Sequence, residues 1–178
     1  MELNQNFFEL FQIPPSFAVD ETQLQARYRE AQQVIHPDRF AGGTDQERRL
    51  AMQMAAHVNE GYQTLSDPIL RARYLLLLNG IDLEHEPNRV DPEFLEQQME
   101  LREALVDIKD QADPFPKIDE LKKLVGEHLN QSMLEIETLF EQGDEVKDDL
   151  VEQVRRLQFI SKFKRELSEL ENRMLDEL

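Results

Sequence analysis

Asp20-Glu21-Thr22-Gln23-Leu24-Gln25-Ala26-Arg27-Tyr28-Arg29-Glu30-Ala31-Gln32-Gln33-Val34-Ile35-His36-Pro37-Asp38-Arg39-Phe40-Ala41-Gly42-Gly43-Thr44-Asp45 reads as one helix, a hard stop and the start of another. Asp20 is a helix N-cap with Gln23 at the capping-box position. Leu24, Tyr28, Ala31 and Ile35, spaced 4, 3 and 4, form one apolar stripe. Pro37 disfavours helix at His36 and ends the run there. On a 100° wheel Gln25, Arg29, Gln32, Gln33 and His36 fall together beside the stripe, a polar and partly basic face leading into the loop. A His suits the partially negative end of a helix. Beyond a rigid proline, Asp38 is left as an acceptor for a charge-assisted bond to a partner.

Outward from this hairpin, Phe7, Phe8, Leu10 and Phe11 predict a short apolar helix closed by Ile13-Pro14-Pro15. Thr44 or Asp45 caps a helix with the stripe Leu50, Met54, Val58, Tyr62 and Leu65. Asp67-Pro68 is the N-cap and first-turn proline of a further helix that Asn79-Gly80 terminates. From Tyr74 to Leu78 that helix is apolar all round, which predicts burial on more than one side and docking against the second domain. Residues 81–92, with two prolines and no helical stripe, read as a linker. Charge divides at the same place: residues 1–80 carry 7 Lys/Arg against 10 Asp/Glu, residues 81–178 carry 13 against 27. Two domains follow, 1–80 and 93–178.

The second domain reads as three helices. The first runs from about Asp91 to Lys109 with Phe94, Leu101, Leu105 and Ile108 inward. Asp113-Pro114 caps the next, with Ile118, Leu121, Val125, Leu129, Met133, Ile136 and Phe140 inward, and Gly143 ends it. The third runs from about Asp144 to the end with the stripe Val146, Leu150, Val154, Leu157, Ile160, Phe163, Leu167, Leu170 and Met174. The 3/4 spacing and short connections predict an antiparallel three-helix bundle. On the first helix Leu95, Met99 and Val106 make a second apolar stripe about 110° from the core stripe, bordered by Glu96, Glu100 and Glu103. Phe159 lies off the main stripe of the long helix. These residues are either a wider core or a binding patch.

Composition closes off several function classes. The 178 residues carry a net charge of −17, which disfavours nucleic acid and anionic membrane as partners. There is no cysteine, so disulfides, thiolate catalysis and a cluster ligated by the chain's own thiolates are excluded. No apolar run approaches the roughly 20 residues of a membrane span. The N-terminus has no basic region of a secretory signal, and the expected location is cytoplasmic. His36 and Asp38 would make two metal ligands where three or four must converge. His57, His85 and His128 sit in separate segments, and there is no Gly-rich phosphate loop or nucleophile elbow. No catalytic residue, metal ligand or cofactor site is expected.

His36-Pro37-Asp38 between two amphipathic helices, with Phe40 and Asn59 in place, resembles the J domain of DnaJ-type co-chaperones over about residues 5–78. Arg71-Ala72-Arg73-Tyr74-Leu75-Leu76, Phe94-Leu95-Glu96-Gln97-Gln98-Met99-Glu100-Leu101-Arg102-Glu103 and Leu157-Gln158-Phe159 narrow the resemblance to the HscB family. The resemblance implies an all-α protein, a J domain followed by a three-helix bundle. It implies a co-chaperone that stimulates the ATPase of a DnaK-class chaperone, HscA, and delivers to it the iron–sulfur cluster scaffold protein. The chaperone-binding residues would be His36, Pro37, Asp38, Arg29, Arg39, Gln32 and Gln33. The scaffold-binding residues would be Leu95, Met99, Glu100, Glu103 and Phe159. Arg39 stands where J domains commonly carry Lys, and Glu96 where the family can carry a hydrophobe. The alternative is a J-domain adaptor for an unrelated client. The glycine-rich and zinc-finger regions of full DnaJ proteins and the Cys-rich module of eukaryotic relatives are absent.

Overall fold

The structure, a computed structural model, describes residues 5–35, 40, 42–87, 91–108, 111, 113–143 and 146–176. Every element among them is a helix, and the chain divides into two compact units, Met1–Asp82 and Leu83–Leu178.

In the first unit α1 (Phe7–Leu10) leads into α2 (Glu21–Ile35), α3 (Asp45–Ser66) and α4 (Pro68–Leu78). Local chemistry sets each boundary. Asn6 and Glu9 form a reciprocal capping box on α1, and Thr44 and Glu47 form one on α3. The bonds that Glu47 accepts from the Thr44 N–H and hydroxyl hold its carboxyl below the usual range. Asp20 accepts from the N–H groups of Thr22 and Gln23 at the head of α2, and Asp67 from those of Ile69 and Leu70 before Pro68. The end of α4 is a Schellman motif: Gly80, at φ +74°, donates to Leu77, and Ile81 donates to Leu76. Ile81 is buried in this unit.

The core forms where the short α1 docks against the α2–α3 hairpin. Phe7, Phe8, Leu10 and Phe11 are all buried, with Leu24, Ala31 and Ile35 of α2. On α3 the buried positions are Ala51, Val58, Gly61 and Leu65; Leu50, expected inward, is 47% exposed. Val58 and Leu65 are buried as expected, and at Gly61 the rings of α1 approach α3 closely. A Cβ on Gly61 would lie 2.8 Å from Phe7 Cδ1 and 3.2 Å from Phe11 Cε2. Gly61→Ala is therefore expected to destabilise the first unit by about 1–3 kcal/mol despite its better helix propensity, measurable by urea unfolding. On α4, Arg71, Ala72, Leu75 and Leu76 are buried, but Leu77 and Leu78 are exposed. Within this unit the apolar run has one buried face.

Arg71 explains why a cation interrupts this apolar helix. Its guanidinium donates to the Leu65 carbonyl at 2.6 Å and lies over the Phe17 ring at 5.2 Å. Burial lowers its pKa, and Glu21 and Asp67 oppose the shift. Tyr74 stacks on Phe7, 4.7 Å between centroids, and its hydroxyl accepts from the Phe7 N–H at 2.9 Å. Burial raises the pKa of that phenol.

The second unit holds α5 (Pro92–Ile108), α6 (Phe115–Gln142) and α7 (Lys147–Asp176). Lys122 of α6 pairs with Glu171 of α7, so these helices run antiparallel. Asp91 pairs with Arg156, and the Phe94 ring meets Phe159 edge-on at 5.6 Å, so α5 runs alongside α7 in the same direction. The shared core contains Leu101 and Ile108 of α5, Ile118, Leu121 and Val125 of α6, and Ile160, Phe163, Leu167 and Leu170 of α7. Ser132 is buried on α6, beside the half-buried Met133 that was expected inward. Helix α6 begins at Phe115, whose N–H bonds to Asp113, with Pro114 as its N-cap. Gly143, at φ +79°, ends it.

Part of the stretch read as a linker is fastened to α7. Arg155 donates to the carbonyls of Pro87 at 2.6 Å, Glu86 at 2.7 Å and Leu83 at 3.1 Å, and Lys147 pairs with Glu86 at 2.7 Å. Three charge-assisted bonds from one rigid fork give this irregular segment a defined course.

Candidate functional site

Two surfaces carry the residues singled out in the sequence, one in each unit. The first lies on α2. His36, Pro37, Asp38 and Arg39 lie outside the described residues; α2 ends at Ile35, directly before them. Arg29, Gln32 and Gln33 are exposed on α2, as the wheel places them. Arg27, the other cation of this helix, pairs with Glu30 at 3.1 Å.

The structure adds a small polar network to this face. The Tyr28 hydroxyl donates to Asn59 Oδ1 at 2.9 Å and accepts from Gln32 Nε2. The Tyr28 ring stacks on Tyr62 at 4.1 Å between centroids. Tyr28 is thus half-buried rather than a plain core residue, and it locks Gln32 and α3 in register with α2. The sequence signal was present: a tyrosine in an apolar stripe needs a partner for its hydroxyl. Tyr28→Phe is expected to cost about 1 kcal/mol of stability, read from thermal or urea unfolding, and to free the Gln32 side chain.

The second surface lies on α5. Its second apolar stripe is not additional core: Leu95 is 45%, Met99 55% and Val106 60% exposed. Glu96, Glu100 and Glu103 are exposed beside them. Phe159 has a different environment. It is half-buried, edge-on to Phe94, stacked on Phe163 at 6.4 Å, and lies beneath the Arg102 guanidinium at 5.8 Å. It therefore packs against the core, with Arg102 of α5 over its face. Arg156 lies over the other side of the cluster, 4.9 Å from the Phe94 centroid, anchored by Asp91 and Glu152. Arg102, not singled out in the sequence, caps the one aromatic ring in the patch.

Among the described residues no three His, Asp or Glu side chains converge in a way that could hold a metal ion. No helix among them is long and apolar enough to cross a membrane.

Comparison with known proteins identifies this arrangement. Residues 90–168 match the family model described as the HSCB C-terminal oligomerisation domain. The chain is 47% identical over 174 residues to the co-chaperone protein HscB homolog of Shewanella baltica (strain OS195), an alignment covering 96% of this chain and 99% of that protein. Among solved structures it is similar to chaperone HscB from Vibrio cholerae, with a TM-score of 0.84 at 36% identity, covering 95% of this chain and 99% of that one. Human co-chaperone protein HscB gives the same TM-score at 27% identity, over 94% of this chain and 83% of its own. An all-α chain with these relatives at near-full length belongs to the HscB family of co-chaperones.

Proposed function

We propose that this co-chaperone is a bivalent adaptor. Its N-terminal J domain, residues 1–80, stimulates ATP hydrolysis by a DnaK-class chaperone, HscA by family resemblance. Its C-terminal bundle, residues 93–178, presents the iron–sulfur cluster scaffold protein to that chaperone. The chain itself supplies no reaction chemistry; it raises the effective concentration of client at the ATPase. The observation that carries the scaffold half is the exposed Leu95/Met99 stripe. A three-helix bundle needs one buried face per helix, and this one keeps a second apolar face in solvent between glutamates. Patches of that kind mark partner contacts. Glu100 and Glu103 then supply the acidic rim, and Phe159 the aromatic support under Arg102.

The chaperone half rests on His36-Pro37-Asp38 with Arg29, Arg39, Gln32 and Gln33. Pull-down of the chaperone and of the scaffold protein by the same immobilised chain tests the bivalent reading. Recovery of only one of them would remove half of it. Because α2 presents few cations, the electrostatic share of the chaperone contact is modest. Arg29→Glu is expected to weaken chaperone binding several-fold, and added salt to weaken the wild-type contact in the same direction, since exposed pairs are screened over about 10 Å at 0.1 M salt. Affinity unchanged by both would place the contact off this face.

A further inference from the structure

The apolar stripe of α5 does not end in open surface. Its last member, Val106, forms one wall of a groove of about 240 Å³ between α5 and α7. Leu105 and Leu170, both packed on the core, line it, and Glu166, Glu169 and Arg173 of α7 border it. Because α5 and α7 run alongside each other, the groove continues the line drawn by Leu95 and Met99 rather than crossing it. From Leu95 to Val106 is eleven residues, about 16 Å along the helix.

We infer that the scaffold-binding surface extends off α5 into this α5/α7 groove, where Val106, Leu105 and Leu170 receive an apolar side chain of the scaffold protein and Glu166 and Glu169 meet its basic flank. The inference rests on the scaffold reading above and adds a second helix to it. Three observations carry it. The groove lies on the same line of α5 as Leu95 and Met99, with Arg102 between them. That patch alone, two apolar side chains with one half-buried ring nearby, is small beside the roughly 800 Å² per partner of a stable protein interface. And the surrounding charge leans acidic: Glu96, Glu100, Glu103 and Asp107 of α5 and Glu166 and Glu169 of α7 stand against Arg102, Lys162, Arg165 and Arg173. Arg173 donates to the Glu169 backbone carbonyl at 3.2 Å. Lys162 and Arg165 approach Glu166 and Glu169 only at 3.9 and 3.8 Å, and of these four side chains only that of Glu166 is partly buried, so a partner can replace the two cations at little cost. The same excess of acid disfavours a second copy of this bundle as occupant.

The test is calorimetric titration of full-length chain with the purified scaffold protein. Val106→Asp is expected to weaken binding at least tenfold with an unchanged melting curve, and Glu166→Lys/Glu169→Lys to weaken it several-fold and flatten its salt dependence. Because the chain has no cysteine, Val106→Cys carrying a benzophenone label provides a measurement independent of affinity. It is expected to crosslink to the scaffold protein, while the same label at Lys123→Cys on α6 is not. If Val106→Asp binds within twofold of wild type while Leu95→Ala/Met99→Ala abolishes binding, the interface ends on α5 and the extension fails alone. If neither set of changes affects binding, the scaffold reading fails and the extension with it. A Val106 label that crosslinks two copies of this chain, with concentration-dependent mass in sedimentation, would assign the groove to self-association and overturn the inference.

Discussion

Leu95→Ala combined with Met99→Ala is expected to abolish measurable scaffold binding and leave the bundle nearly as stable as wild type. Both side chains are about half exposed, so truncation opens no cavity, and the unfolding free energy should fall by less than about 1 kcal/mol. Central hot-spot residues typically cost about 2 kcal/mol or more each in affinity, so the pair should lower it by more than a hundredfold. Calorimetric titration and urea unfolding of the same preparation read both quantities. Phe159→Ala should behave differently. Its ring touches Phe94 and Phe163 and carries Arg102, so its loss should cost about 2 kcal/mol of stability as well as affinity. A triple variant therefore confounds the two effects, and the double variant is the informative one.

His36→Gln is expected to abolish stimulation of the chaperone ATPase while leaving the circular dichroism spectrum unchanged. Helix α2 ends at Ile35 and the buried stripe ends with it, so the change falls beyond the last core position. Steady-state ATP turnover at saturating chain should drop to the chaperone's basal rate. Full stimulation by this variant would remove the J-domain role. Scaffold binding by the same variant should be unaffected, since His36 belongs to the first unit and the α5 patch to the second.

The helices themselves were legible because each carries its own punctuation. Asp20, Thr44, Asp67-Pro68, Asn79-Gly80 and Gly143 all stand where chain direction or capping demands them, and each does so in the structure. The inner face of α7 was equally plain, since large aliphatic residues at 3/4 spacing over 30 residues leave little choice of buried side. What escaped was set by close approach and by polar chemistry. Leu50 outranks Ala51 on any scale of hydrophobicity, yet Ala51 is the buried one, and at Gly61 the aromatic rings of α1 leave no room for a Cβ. Within the first unit α4 has one buried face, and Arg71 is part of it through a carbonyl and an aromatic ring that no periodicity reveals. Arg155 gathers three carbonyls from residues 83–87, more than 65 positions away, which makes a segment without helical pattern part of the second unit.

For the site, the sequence offered two meanings for Leu95, Met99, Val106 and Phe159. Periodicity alone assigns residues to a face but not to an occupant. The packed bundle separates them: the three aliphatic side chains of α5 are in solvent, and the phenylalanine of α7 is half inside. Arg102 over that ring and the groove beyond Val106 depend on how α5 lies against α7, a relation between elements far apart in the chain.

Bivalency is tested most directly by ATP turnover of the chaperone with this chain present, measured with and without the scaffold protein. For the wild-type chain, scaffold and chain together should stimulate turnover well beyond the sum of their separate effects. For Leu95→Ala/Met99→Ala the scaffold-independent stimulation should remain and the synergy should vanish. For His36→Gln both should vanish although the scaffold still binds. Synergy that survives Leu95→Ala/Met99→Ala, or a wild-type chain that shows none, would contradict a co-chaperone that works by holding client and ATPase together.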